Sequence, residues 1–195
     1  MKRPRPLPIA LGILLGAVAL IAQATAHESP IDHVERELRF GVEEGKLFLS
    51  YRLQQTERAA LMELQQMDGD ADGKNLPAEQ EAFFAKKGAM IAKQFVVSVD
   101  GKPLAFAPVG AAECDARLGQ TFVFAAPLPK LGPGRHEGLL IDGYSRAYPG
   151  MFRWKEAGQG RPGDIRIVPV TQPEDPRSSR HPAWLELKFE VVVPE

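Results

Sequence analysis

From Asp68 the chain reads Asp-Gly-Asp-Ala-Asp-Gly-Lys-Asn-Leu-Pro-Ala-Glu, which sets carboxylates on three alternate residues, a glycine at the sixth place and a fourth carboxylate at the twelfth. Calcium is a hard cation that takes six to eight oxygens, and a short loop satisfies it by wrapping around the ion and offering a side chain at every second residue. Asp68, Asp70 and Asp72 meet that demand, Lys74 would add its backbone carbonyl, and Glu79 would close the shell with both carboxylate oxygens, the pattern of an EF-hand loop. Gly73 falls where such a loop turns sharply, a conformation that glycine adopts at little steric cost. Without a cation, carboxylates ~4–6 Å apart repel by a few kcal/mol per pair at an effective dielectric of ~20, so an ion accounts for the loop better than a solvated Asp/Gly turn does. Two residues depart from the usual pattern. Asn75 stands at the eighth place, where an aliphatic residue normally pairs with a second loop, and the aliphatic Leu76 comes one place late. Asn75 is expected to cap the following helix, with Pro77 in its first turn. The sequence holds no second loop of this kind, so pairing of two loops within one molecule is excluded.

A loop of this kind needs a helix on each side. Thr56 is a suitable N-cap, and Leu61, Leu64 and Met67 recur at helical spacing up to the acidic residues. Beyond them, Ala78 to Lys93 reads as a second helix whose Phe83, Phe84, Lys87 and Ile91 form one stripe, expected to face a core. The helical hairpin therefore covers about residues 56–93.

Around that hairpin the period changes to two. Val34 to Phe40 and Lys46 to Leu53 alternate on either side of Glu43-Glu44-Gly45, which predicts a β-hairpin. Further strands are predicted over Phe95 to Val99, Leu104 to Val109, Glu113 to Leu118, Thr121 to Ala125, Gly138 to Ile141, Asp164 to Val168 and Trp184 to Val193. The last is the cleanest, with Leu187, Phe189 and Val191 on one side and Glu186, Lys188 and Glu190 on the other. Gly143 to Gly163 and Thr171 to Pro182 read as long Gly/Pro-rich loops. The expected fold is α+β: β-sandwich-like antiparallel sheets with an inserted EF-hand-like helix-loop-helix.

Met1 to Ala26 has the form of a secretory signal: basic Lys2, Arg3 and Arg5, an apolar run from Ile9 to Ala22, and small residues at Ala24-Thr25-Ala26. The expected mature chain is a single domain over 27–195, exported to the periplasm or secreted. It loses three basic residues, so 21 basic side chains face 25 acidic ones. That balance argues against nucleic acid as a partner. Its one cysteine, Cys114, lies between Glu113 and Asp115, which disfavour a thiolate, and an inert or partly buried residue is expected rather than a nucleophile.

The loop with its flanking helices, the stretch Val99-Asp100-Gly101-Lys102-Pro103, Tyr148-Pro149-Gly150 and Trp154-Lys155-Glu156 together resemble the secreted domain that precedes the membrane helices of some bacterial nickel/cobalt transporters. The likeness runs from about Val34 to Glu156, and by position it carries over Asp68, Asp70, Asp72, Lys74 and Glu79 as metal ligands. What the resemblance implies is a role in handling transition metals, with a membrane metal transporter as a partner, though not transport by these residues.

A transition-metal role has chemistry of its own. After cleavage the α-amine and imidazole of His27, with His33 six residues on, would suit nickel, cobalt or copper better than the acidic loop does. His136 and His181 stand in isolated polar settings. No nucleophile motif, zinc-protease motif or phosphate loop is present, Gly158-x-Gly160 lies outside a strand-to-helix turn, and Asp142 and Glu156 read as solvated acids. The sequence therefore points to a calcium-binding protein rather than an enzyme, with transition-metal binding as the alternative.

Overall fold

Alternation builds the first hairpin. In β1 (Val34–Glu43) and β2 (Lys46–Gln55) every second residue turns inward, and Glu44 and Gly45 close the turn with φ of 48° and 70°. Positive φ at both central residues is what a two-residue hairpin loop of type I′ requires, a turn whose twist matches that of the strands. The computed structural model describes residues 34–115, 117–144, 152–156, 164–170 and 185–195; the signal-like segment, His27, His33, His181 and the segment around Tyr148 lie outside them.

After β2 come α1 (Glu57–Met67) and α2 (Pro77–Ala92), and then the strands β3 (Phe95–Val99), β4 (Lys102–Leu104), β5 (Ala107–Pro108), β6 (Glu113–Cys114), β7 (Gln120–Pro127), β8 (Gly134–Asp142), β9 (Phe152–Glu156), β10 (Arg166–Pro169) and β11 (Leu185–Val193). They form two sheets. The first has the order β5-β7-β2-β1-β9, with β6 also on β7; the second runs β10-β11-β8-β3-β4. All pairs are antiparallel except β1 with β9, where Arg36 stands opposite Phe152 and Phe40 opposite Glu156. With two helices and two sheets, the described residues make a mixed α+β fold.

One face of each sheet contributes to a common core. Phe40 of the first sheet lies 5.2 Å from Phe189 of the second, ring to ring. Phe95 of the second sheet meets Tyr51 at 5.2 Å and Phe124 at 5.3 Å, both from the first. Edge-to-face contacts of this kind add to the area that the rings bury. The helical hairpin leans on the first sheet through α2, where Phe84 reaches Phe122 at 6.3 Å. A side chain at Gly88 would come within 3.3 Å of the same ring, so a glycine lets α2 approach closely.

Three of the expected elements differ. The strand foreseen from Glu113 to Leu118 stops at Cys114, because the Asp115 carboxylate accepts from the backbone N–H of Arg117 at 2.8 Å and of Gly119 at 2.9 Å and closes a turn. The strand foreseen from Leu104 to Val109 is split, since the chain leaves the second sheet after β4 and joins the first at β5, with Phe106 buried between Phe95 and Phe124. β9 falls inside the stretch read as a long loop; five residues of alternation set among Gly and Pro gave too short a signal.

Candidate metal centre

The acidic loop is held at both ends by helix chemistry. The Thr56 hydroxyl accepts from Ala59 N at 3.3 Å and starts α1. That helix delivers Asp68 as its C-cap residue. Pro77 opens α2, whose N-cap is Leu76, a residue with no side-chain acceptor. Asn75 does not cap, and its Oδ1 is buried without a partner among the described residues. Glu79 does that work instead: Oε2 accepts from Leu76 N at 2.9 Å and Oε1 from Gly69 N at 2.8 Å, so one carboxylate pins the loop at both ends. This is half of a capping box, with the reciprocal side-chain bond missing because leucine has nothing to offer.

Inside the loop, backbone donors converge on the same acids. Asp68 accepts from Asp72 N at 3.1 Å and from Gly73 N at 2.8 Å, and Asp70 accepts from Asp72 N at 3.1 Å. Gly73 takes φ of 83°, as the sharp turn demands, and Ala71 takes 59°. One ligand oxygen from each of Asp68, Asp70 and Glu79 lies within 4.8 Å of the other two. Oxygens on opposite sides of a calcium ion bonded at ~2.3–2.6 Å stand about 4.6–5.2 Å apart, so these three fit one coordination shell. Asp72 is not among them. Its Oδ1 accepts from Lys74 N at 2.8 Å and its Oδ2 pairs with Lys74 Nζ at 3.6 Å, which keeps the carboxylate turned to its own neighbour. The side-chain donors in this cluster are carboxylate oxygens throughout.

Two polar clusters elsewhere are buried. Arg36 of β1, Tyr51 of β2 and Asp142 at the end of β8 are 2%, 0% and 0% exposed, which makes Asp142 the reverse of a solvated loop acid. Arg36 Nε donates to the Tyr51 hydroxyl at 2.9 Å, which donates to Asp142 Oδ2 at 2.7 Å, and Arg36 and Asp142 are themselves 3.4 Å apart. Burial, then the Asp142 charge, push the Tyr51 phenol well above its ordinary range, so it stays a donor. This chain of bonds joins the two sheets. Its signal in the sequence was a charged residue in the inward phase of a strand: Arg36 between Val34 and Leu38, and Asp142 two places after Leu140.

The second cluster fastens the hairpin that carries the loop. Lys87 of α2 is 5% exposed, pairs with Glu63 of α1, and donates to Gln120 Oε1 of β7 at 2.7 Å. Gln120 and Gln55 in turn donate to Glu63 at 2.7 and 2.8 Å. Burial pulls the Lys87 ammonium below its usual range, and the Glu63 carboxylate opposes that pull. Lys87, read as part of an apolar stripe, is thus the buried polar member of it.

Cys114 is exposed, and of the two expectations for it the inert thiol is the one that fits, since desolvation followed by the Asp115 and Glu63 charges raises its pKa. His136 is not isolated, since Asp100 and Gly132 occupy its two ring nitrogens. Comparison of the chain with known proteins returns no matching family, no curated relative and no matching solved structure.

Proposed function

We propose that this chain is an exported calcium-binding protein whose single EF-hand-type helix-loop-helix is inserted in a β-sandwich, the ion acting as a structural or weakly sensing element. Asp68, Asp70 and Glu79 would supply the first ligands, Lys74 a backbone carbonyl, and Asp72 a further carboxylate once it gives up Lys74. The observation that supports this reading best is the approach of three carboxylates from both ends of the loop to within 4.8 Å of one another. The sandwich reading is supported by the ring contacts across the two sheets. An affinity in the ~10⁻⁴–10⁻³ M range of extracellular modules is expected for an unpaired loop that carries Asn75 in place of the aliphatic residue at its eighth place.

Asp70→Asn separates a metal site from an ordinary turn. The bond from Asp72 N to Asp70 Oδ1 is one an amide oxygen can also accept, so the substitution preserves the turn and removes a negative ligand. Calorimetric titration with calcium should give a one-site isotherm for the parent and none for Asp70→Asn. No calcium heat in the parent, or an isotherm indifferent to Asp70→Asn, overturns the reading. A nickel or copper isotherm lost on His27→Ala would put the transition-metal alternative in its place.

A further inference from the structure

Outside the acidic loop, one contact is written in the chemistry of a single proton. His136 Nδ1 lies 2.7 Å from Asp100 Oδ2, and its Nε2 lies 2.8 Å from the carbonyl oxygen of Gly132. Both partners are acceptors. An imidazolium has a donor for each, whereas a neutral imidazole has one N–H and must set a lone pair against an oxygen at the other nitrogen. We propose that His136 is a protonation-dependent latch between the β3–β4 turn and the β7–β8 connection, closed as the imidazolium and released at its Gly132 end when the ring becomes neutral.

The Gly132 end is the one that opens because the Asp100 end is built in. Asp100 Oδ1 accepts from Glu137 N at 3.0 Å, and Asp100 N donates to Glu137 O at 2.7 Å. Asp100 and Gly101 form a positive-φ turn, at 49° and 71°. The carboxylate cannot swing away without breaking that turn, and it holds the remaining proton on Nδ1 by charge. The β7–β8 connection is rich in Pro and Gly, and its backbone is tied at Leu128 N to Gly45 O at 2.9 Å, before Gly132.

The charges around the ring favour the closed form. From the β3–β4 turn, Asp100 acts directly on the imidazole, while Lys102 acts on Asp100. Beside His136 on β8, Arg135 is paired to Glu190 of β11 at 2.7 Å, Glu137 is the backbone partner of Asp100, and Val191 stands opposite His136 on β11. The connection itself brings Lys130. The Gly132 carbonyl, then Asp100, raise the imidazole above its ordinary value, and the His136 bond lowers Asp100. A raised histidine stabilises fully below its unfolded value near 6.5 and loses that contribution as the pH climbs through its folded value; a lowered aspartate contributes above ~3.9 and fails on acidification. The latch is therefore shut between those limits.

Nitrogen-15 NMR of the whole chain from about pH 5 to 9 tests this. His136 should titrate above ~6.5, and the amides of Leu131 and Gly132 should shift with the same midpoint. Asp100→Asn keeps an acceptor for Glu137 N and should bring the midpoint down. His136→Gln keeps a non-titrating donor and should flatten the response of the two amides. A midpoint at or below ~6.5 in the parent, or amides that do not follow it, overturns the proposal.

Discussion

Replacing Tyr51 by phenylalanine deletes one oxygen from the buried chain that joins the sheets and leaves the ring contacts to Phe95 and Phe124 in place. The lost hydroxyl accepts from Arg36 at 2.9 Å and donates to Asp142 at 2.7 Å. Hydrogen bonds to charged groups are worth about 1.5–3 kcal/mol each, which would set the loss at ~3–6 kcal/mol. The gap between Arg36 and Asp142 is already only 3.4 Å, however, and a small closure restores a direct ion pair. The expected cost is therefore that of one bond, about 2–3 kcal/mol, or a fall in Tm of about 4–12 °C for a domain of this size. Asp142→Ala, which takes the carboxylate from a buried guanidinium, should cost more, at about 3–5 kcal/mol. Urea unfolding with an unchanged slope is the assay. The parent should also weaken above pH ~10, where an unfolded tyrosine ionises and the buried, raised phenol does not, and Tyr51→Phe should lose part of that alkaline limb. A Tyr51→Phe protein within ~0.5 kcal/mol of the parent would refute the reasoning, because surface substitutions already reach that value.

Two further expectations come from tight contacts. A β-carbon on Gly138 would lie 2.1 Å from the Phe189 ring, which is 1% exposed and held against Phe40. Gly138→Ala should therefore cost about 1–3 kcal/mol in urea unfolding, and a neutral outcome would mean that the ring has somewhere else to go. The Asp115 carboxyl is lowered to about 2, first by Arg52 and then by the backbone N–H of Gly119 and Arg117. A depressed acid stabilises above its unfolded value and loses that contribution on acidification, so the parent should lose stability between pH ~4 and ~2 more steeply than Asp115→Asn does; parallel acid limbs would count against it.

Strand phase was legible wherever the chain alternated for seven residues or more. β1, β2 and β11 lie where the pattern put them, and Thr56 caps α1 as its type and position suggested. The acidic loop was legible as a run of spaced carboxylates with a sharp turn at Gly73, but not in its internal bonding. That Asp72 turns to Lys74, and that Glu79 rather than Asn75 receives the backbone at the start of α2, depend on which donors the turn happens to aim, and spacing does not encode aim. The buried polar clusters were illegible for a different reason. Arg36 and Asp142 are 106 places apart in the sequence, and only the pairing of β1 and β2 in one sheet with β8 in the other brings them to the same point. A charged residue in an inward strand position announces that a partner exists without saying where it is.

The parallel register of β9 on β1 has a bearing on how the polypeptide comes together. The opening hairpin can zip as soon as Gln55 has been made, but the outer flank of β1 must wait for residues around Phe152, nearly a hundred places later. Until then an unpaired strand rim faces the solvent, the geometry that invites pairing with stray chains. Truncated forms ending before β9 would keep that rim bare for good, and inclusion bodies are what a cell should make of them.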